Sequence, residues 1–189
     1  MTWHSFHRRG DVLRDVADAA DRRRDGVLPM DVPGVREHFT DELDLLSALM
    51  LRWHTRLSGN VERALMSEPM DLEAAVARAW RRTSDTMPGV RMVIDHATAH
   101  PADDEMATAA SRAQEREWAR LAVAAGLAND QGPAAARAGR RVELEGRTID
   151  TRPLTTRPLT TQPFSLRPAS ASDPERPSLV ERIRAALPA

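Results

Sequence analysis

Apolar residues recur at spacings of three and four through most of the first 127 residues, a period that predicts amphipathic helices. The longest stripe contains Phe39, Leu43, Leu46, Met50, Trp53, Leu57, Val61 and either Ala64 or Leu65. Shorter stripes with the same period lie before and after it, separated by glycine and proline. No alternation of apolar and polar residues is long enough to predict a sheet. The sequence therefore predicts an all-α fold, an antiparallel bundle of about five helices over residues 1–127.

Turn-forming residues mark the expected ends of these helices. Gly26 is expected to stop the first helix and Pro69 the second. Asp71 is predicted to be the N-cap of the third helix, and Pro101 the first residue of the last. Each tryptophan lies on an apolar stripe, and the four fall in four of the five helices: Trp3, Trp53, Trp80 and Trp118. We expect them to be core anchors.

Glycine and proline become frequent after residue 127, and the helical period is lost. We therefore expect a flexible linker over residues 128–177, with residues 141–145 as its one candidate strand. Within the linker, residues 151–170 form tandem five-residue repeats with a proline in each. Proline lacks a backbone donor and clashes with the preceding turn, so this Pro-, Arg- and Thr-rich segment cannot be helical. A disordered C-terminal tail is predicted.

The end of the tail, residues 178–187, regains a helical pattern and predicts a short amphipathic helix. Ser178 and Glu181 form a capping-box motif at its start. Its apolar anchors recur at four-residue spacing: Leu179, Ile183 and Leu187. Two basic residues are expected at the rim of the contact that these anchors make: Arg182 and Arg184. So short a helix is not stable alone, and we expect it to form in a groove, either on this chain's own body or on a partner protein.

Composition narrows the functional classes. All 27 basic residues are arginine, and the chain has no Cys and no Tyr, which is typical of a high-GC bacterial genome. It therefore lacks the lysine of Schiff-base and P-loop chemistry, a cysteine nucleophile and any disulfide. A net charge of −1 argues against wholesale attraction to nucleic acid or membranes. No apolar run approaches the ~20 residues of a membrane helix, and no signal-like region begins the chain, so a cytoplasmic protein is expected.

Two clusters are candidate ligand sites. His96 and His100 lie four residues apart, a spacing that places two imidazoles on one helix face and suits a metal ion. No Glu follows the first His, so the zinc-protease motif is not met. Arg78, Arg81 and Arg82 form a basic cluster that suits nucleic-acid phosphates, although acidic residues are interleaved with such clusters along the chain. No residue is predicted to be catalytic, and no cofactor is predicted.

Three functional hypotheses follow. The first is a non-enzymatic helical adaptor or assembly protein whose C-terminal helix docks on a partner protein through the flexible spacer. The second is a helical bundle that binds a metal or small ligand through His96 and His100. The third is a nucleic-acid-binding regulator that uses its arginine clusters. The sequence favours the first, because a tethered docking element consists of a spacer followed by a helix that forms on binding.

Overall fold

The computed structural model of the protein describes the backbone of residues 3–149 and the side chains of residues 8–149, and no strand occurs in this range. The helices of this part of the chain are α1 (Trp3–Arg23), α2 (Val35–His38), α3 (Glu42–Ser67), α4 (Leu72–Thr86), α5 (Pro88–Ala99), α6 (Asp104–Ala124) and α7 (Pro133–Thr148). The predicted all-α bundle is therefore confirmed for the described residues, with α2 and α7 added to the five helices expected. The predicted disordered tail and terminal helix lie outside the described residues.

Helix α3 is the longest of these elements and packs against α1, α4, α5 and α6. It begins where the Asp41 side chain accepts a hydrogen bond from the backbone N–H of Asp44 at 2.7 Å, an N-cap. Its inner side carries Trp53, whose indole meets that of Trp80 on α4 edge to face, with ring centroids 5.9 Å apart. These two rings form the centre of the core.

The caps of α4 and α6 come from aspartates. The predicted N-cap of α4 is confirmed, because the Asp71 side chain accepts a hydrogen bond from Ala74 N–H at 3.2 Å. The prediction that Pro101 opens the last helix is wrong. Helix α6 begins at Asp104, because Asp103 is its N-cap and accepts from Met106 N–H at 2.7 Å.

Helix α5 is held against α1 at its first turn. Pro88 occupies the first helical position. The Asp21 carboxylate from α1 accepts hydrogen bonds from the backbone N–H of Gly89 at 2.7 Å and of Val90 at 3.3 Å. A Cβ at Gly89 would lie 2.0 Å from the carbonyl oxygen of Ala20. Only glycine therefore fits where the two backbones approach.

The flexible linker predicted from residue 128 is wrong for residues 133–148, which form α7 and pack against α6 and α4. The candidate strand at residues 141–145 is wrong as well, because these residues lie inside α7. The buried side of α7 consists mainly of small residues: Ala135, Ala138, Gly139, Val142 and Gly146. A Cβ at Gly139 would lie 1.6 Å from the carbonyl oxygen of Trp118. Helix α7 therefore belongs to the helical domain and lies unusually close to α6.

Three of the four predicted aromatic anchors can be placed. Trp53 and Trp80 are buried, and Trp118 is partly buried against the core. The side chain of Trp3 lies outside the described residues. The described tryptophans thus pack in or against the core. Within residues 3–149 no helix is long and apolar enough to cross a membrane.

Candidate functional site

The most concentrated polar feature of the interior is the carboxylate of Glu117 on α6, a residue that is only 4% exposed. Its Oε2 accepts hydrogen bonds from Trp53 Nε1 and His54 Nε2 on α3, both at 2.9 Å. Its Oε1 accepts one from Trp80 Nε1 on α4 at 3.2 Å and a long one from Arg91 on α5 at 3.4 Å. One carboxylate therefore links four helices. We call these five residues the Glu117 cluster.

The electrostatics of the cluster favour the ionised carboxylate. Burial alone would raise the pKa of Glu117, but the hydrogen bond from His54 and the positive charge of Arg91 outweigh burial, and its pKa is lowered from the ordinary value. An ionised carboxylate can only accept hydrogen bonds, so the Nε2 of His54 carries the hydrogen that points at Oε2.

Arg91 is buried with the cluster and is 4% exposed. Its guanidinium carbon lies 5.0 Å from the centroid of the Trp53 ring and 5.9 Å from that of Trp80. A cation over aromatic faces is attracted by the ring quadrupole, and the flat guanidinium suits such stacking. The buried cation is therefore stabilised by two indoles as well as by carboxylates.

A second ion cluster continues from the first toward α7. Asp95 on α5 accepts hydrogen bonds from Arg91 at 2.5 Å and from Arg147 on α7 at 2.8 Å. Arg147 also pairs with the buried Glu143, which accepts a hydrogen bond from the indole of Trp118 on α6. Burial alone would raise the pKa of Asp95, but the hydrogen bond from Arg147 and the charge of Arg91 lower it. The second cluster joins α5 and α7 through ion pairs of Asp95 and Arg147, and α6 through the indole of Trp118.

Two cavities border the Glu117 cluster. A cavity of about 10 Å³ lies against Trp53, His54 and Arg91, close to the volume that one water molecule requires. A larger one of about 300 Å³ lies between α3 and α6 and is lined by His54, Glu117 and Arg120 among others. The carboxylate has about four acceptor positions, and four donors of the protein point at them. The arrangement thus joins four helices through one carboxylate.

The structure brings the two histidines of the metal hypothesis together. The rings of His96 and His100 stack with centroids 4.9 Å apart and an interplanar angle of 30°. His96 also lies beside Gly26, in the turn that follows α1. Within residues 8–149, no group of three or more His, Asp or Glu side chains has the geometry to hold a metal ion. The metal hypothesis thus rests on two imidazoles and stays a prediction.

The arginines of the nucleic-acid hypothesis divide between two faces of α4. Arg78 pairs with Glu68. These two residues and Arg82 line a cavity of about 300 Å³ where the end of α3 meets α4. Arg81 points elsewhere and pairs with Asp85 at 3.0 Å. Acidic partners thus neutralise two of the three arginines, and the nucleic-acid hypothesis stays a prediction.

The predicted partner-binding residues belong to the tail. The anchors and rim residues lie outside the described residues: Leu179, Ile183, Leu187, Arg182 and Arg184. Their role stays a prediction.

Sequence reasoning missed the Glu117 cluster, although two signals for it are present. Glu117 falls on the apolar stripe of α6 at helical spacing from Ala110 and Leu121, a place where a carboxylate needs buried partners. Buried tryptophans in turn need an acceptor for each indole N–H. A charged residue on an apolar stripe, in a chain with several core tryptophans, is the pattern that would have indicated the cluster.

Comparison of the chain with known protein families, with curated proteins and with solved structures gave no match. The function has to be inferred from the residues themselves.

Proposed function

We propose that this protein is a non-enzymatic helical adaptor or assembly protein that acts in the cytoplasm. Residues 178–187 form an amphipathic helix when they dock on a partner protein. The chain from residue 150 to residue 177 is the spacer that joins this helix to the helical domain. The anchors are apolar: Leu179, Ile183 and Leu187. The rim residues are basic: Arg182 and Arg184.

The observation that supports the proposal is that the buried charged groups of the helical domain are paired with donors and acceptors of the domain itself. Four donors saturate the Glu117 carboxylate, and the neighbouring ion cluster pairs Asp95 and Glu143 with arginines. These groups hold helices together, as expected of a domain that serves as a scaffold. A scaffold that ends in an amphipathic segment supports the adaptor class over a catalytic one.

The spacer sequence suits a tether. Proline recurs at every fifth position of residues 151–170, which favours extended backbone. At about 3.1 Å per residue, an extended spacer from residue 150 to residue 177 would reach up to roughly 90 Å. A tethered helix binds at an effective concentration set by that reach, so a weak helix–groove contact is enough when the adaptor is already near its partner.

The experiment compares partner binding by two variants with the same chemical change. Leu179→Glu with Ile183→Glu places two charges on the proposed apolar face. Leu154→Glu with Leu159→Glu places them in the spacer, where a five-residue period does not keep the leucines on one face. A partner identified by crosslinking to residues 178–187 in the host is purified, and its affinity for each variant is measured by calorimetry.

The proposal predicts that the terminal pair weakens binding by about a hundredfold, because two anchors are lost from the contact. The spacer pair should bind as the unaltered chain does. Equal affinity of all three proteins would contradict a docking role for the terminal helix. Equal weakening by both pairs would show that the tail binds through its overall composition instead.

A further inference from the structure

The outer face of α3 carries a large exposed apolar side chain and, further along, a glycine with open space beside it. Leu51 is 68% exposed, although it lies in the middle of the longest helix described. Gly59 lies two turns further along, and a Cβ built there would meet no atom within 4 Å. This glycine has no positive φ and no close neighbour that requires it. In a helix interior it is unfavourable relative to alanine, so its presence calls for another reason.

The positions of Leu51 and Gly59 are related by symmetry. Each lies four residues from Thr55, on opposite sides. If two α3 helices cross in antiparallel fashion about a two-fold axis at Thr55, Leu51 of each copy faces Gly59 of the other. The interface then contains two identical contacts, in each of which the projecting side chain of Leu51 packs over Gly59, which has no side chain. Contacts of this kind are self-complementary, as a two-fold interface requires.

Charges on the same face fit the same register. Arg52 and Glu62 are exposed, and neither has an ion-pair partner among residues 8–149. Across the two-fold axis Glu62 faces Ala48, and Arg52 lies one helical turn from Ala48. Arg52 of each copy therefore comes within reach of Glu62 of the other. Because of the two-fold axis, the Arg52–Glu62 pair occurs twice in the interface. The charges on this face therefore favour association with a second copy of the same face.

The surroundings leave room for a second helix. An open groove of about 930 Å³ runs between α1 and α3, and Leu51, Thr55 and Gly59 lie along its α3 wall. The α1 wall contributes the apolar residues Leu13 and Ala17 together with three charged ones. A helix placed over this groove would bury Leu51 without displacing any element of the domain.

We propose that the outer face of α3, centred on Thr55, is a dimerisation surface whose occupant is the same face of a second copy of this chain. Leu51 inserts over Gly59 of the partner copy, and Arg52 pairs with its Glu62. The residues of this surface belong to α3 and not to the tail. On the proposed function, a dimer would carry two copies of the docking segment, residues 178–187.

The test is a charge-swap experiment on the full chain, followed by sedimentation velocity over a concentration series. Arg52→Glu places two like-charged pairs at the interface, and so does Glu62→Arg. Each should weaken the dimer by about tenfold or more. An equimolar mixture of the two variants pairs opposite charges again and should form the mixed dimer. The double variant R52E/E62R should dimerise alone. Arg112→Glu on α6, also exposed, is the control and should have no effect.

A second variant separates an interface role from a structural one. Gly59→Ala should raise the thermal unfolding midpoint by a few degrees, because alanine is the better helix former. It should also weaken the dimer several-fold, because the new methyl group fills the space for Leu51. Leu51→Ala should weaken the dimer too, whereas Leu144→Ala, which truncates a 52% exposed leucine on α7, should not. An unaltered chain that is monomeric at every concentration would overturn the proposal, and so would a mixture of charge variants that fails to associate.

Discussion

Replacing Glu117 with glutamine removes the charge at the centre of the domain and keeps the size of the side chain. A glutamine side chain offers one carbonyl oxygen and one NH₂ group, whereas the carboxylate offers two acceptor oxygens. Two of the four donors at Glu117 would then face a group that donates. Arg91, which is 4% exposed, would also lose one of its two carboxylate partners.

The size of the effect follows from burial. Breaking a buried ion pair by removing one partner costs about 3–5 kcal/mol, because the remaining charge stays buried. Asp95 still pairs with Arg91, so we place the loss for Glu117→Gln near the lower end, at about 3 kcal/mol. A domain typically has about 5–15 kcal/mol of unfolding free energy, so this variant should be folded but clearly destabilised.

Chemical denaturation monitored by tryptophan fluorescence measures this loss of unfolding free energy. Two of the four tryptophans, Trp53 and Trp80, donate to the Glu117 carboxylate, so their emission reports directly on the cluster. The matched control is Glu115→Gln, the same substitution at an exposed position of the same helix. It should change the free energy of unfolding by less than about 0.5 kcal/mol. Equal stabilities of the two variants would refute the view that Glu117 is an ionised acceptor that links α6 to three other helices.

Three further results are expected. Because folding lowers the pKa of Glu117 below its ordinary value of 4.5, the ionised form stabilises the fold above that pH, and this contribution is lost as the pH falls through the lower folded pKa. Glu117→Gln should therefore lose less stability than the unaltered chain between about pH 6 and about pH 3 in urea titrations, and parallel pH profiles would contradict this assignment. Gly139→Ala should destabilise the domain by about 1–3 kcal/mol despite its better helix propensity, because the Cβ would lie 1.6 Å from the carbonyl oxygen of Trp118; a raised thermal midpoint would show that α6 and α7 separate freely. The metal hypothesis predicts that zinc binding measured by calorimetry disappears when His96 and His100 are both alanine, and unchanged binding would exclude this pair.

The part of the fold that the sequence predicted is the part built on large apolar residues. Helix α3 was recognisable from its stripe of Leu, Met and Trp, and α4 from its stripe and the Asp71 cap. Each stripe has the helical period and a clear boundary. Propensity and pattern agree in these elements, so local reasoning was sufficient.

Helix α7 escaped prediction because its buried side is made of small residues. Gly139 and Gly146 are typical of loops, yet here they let α7 approach the backbone of α6 and the ring of Trp80. The burial comes from the large residues of the facing helices, which a pattern within α7 cannot reveal. The ion pairs of Asp95 were hidden for a different reason, since Asp95 lies 52 residues before Arg147 and meets it only after α7 has packed.

The most direct test of the adaptor proposal is native mass spectrometry of the full chain purified gently from its own host, beside a chain that ends at residue 177. The proposal predicts a complex with a second protein that is present for the full chain and absent for the shortened one. The shortened chain should still give the folded helical domain, as judged by circular dichroism. A complex that survives removal of residues 178–189 would contradict the proposal, and so would a full chain that never carries a partner.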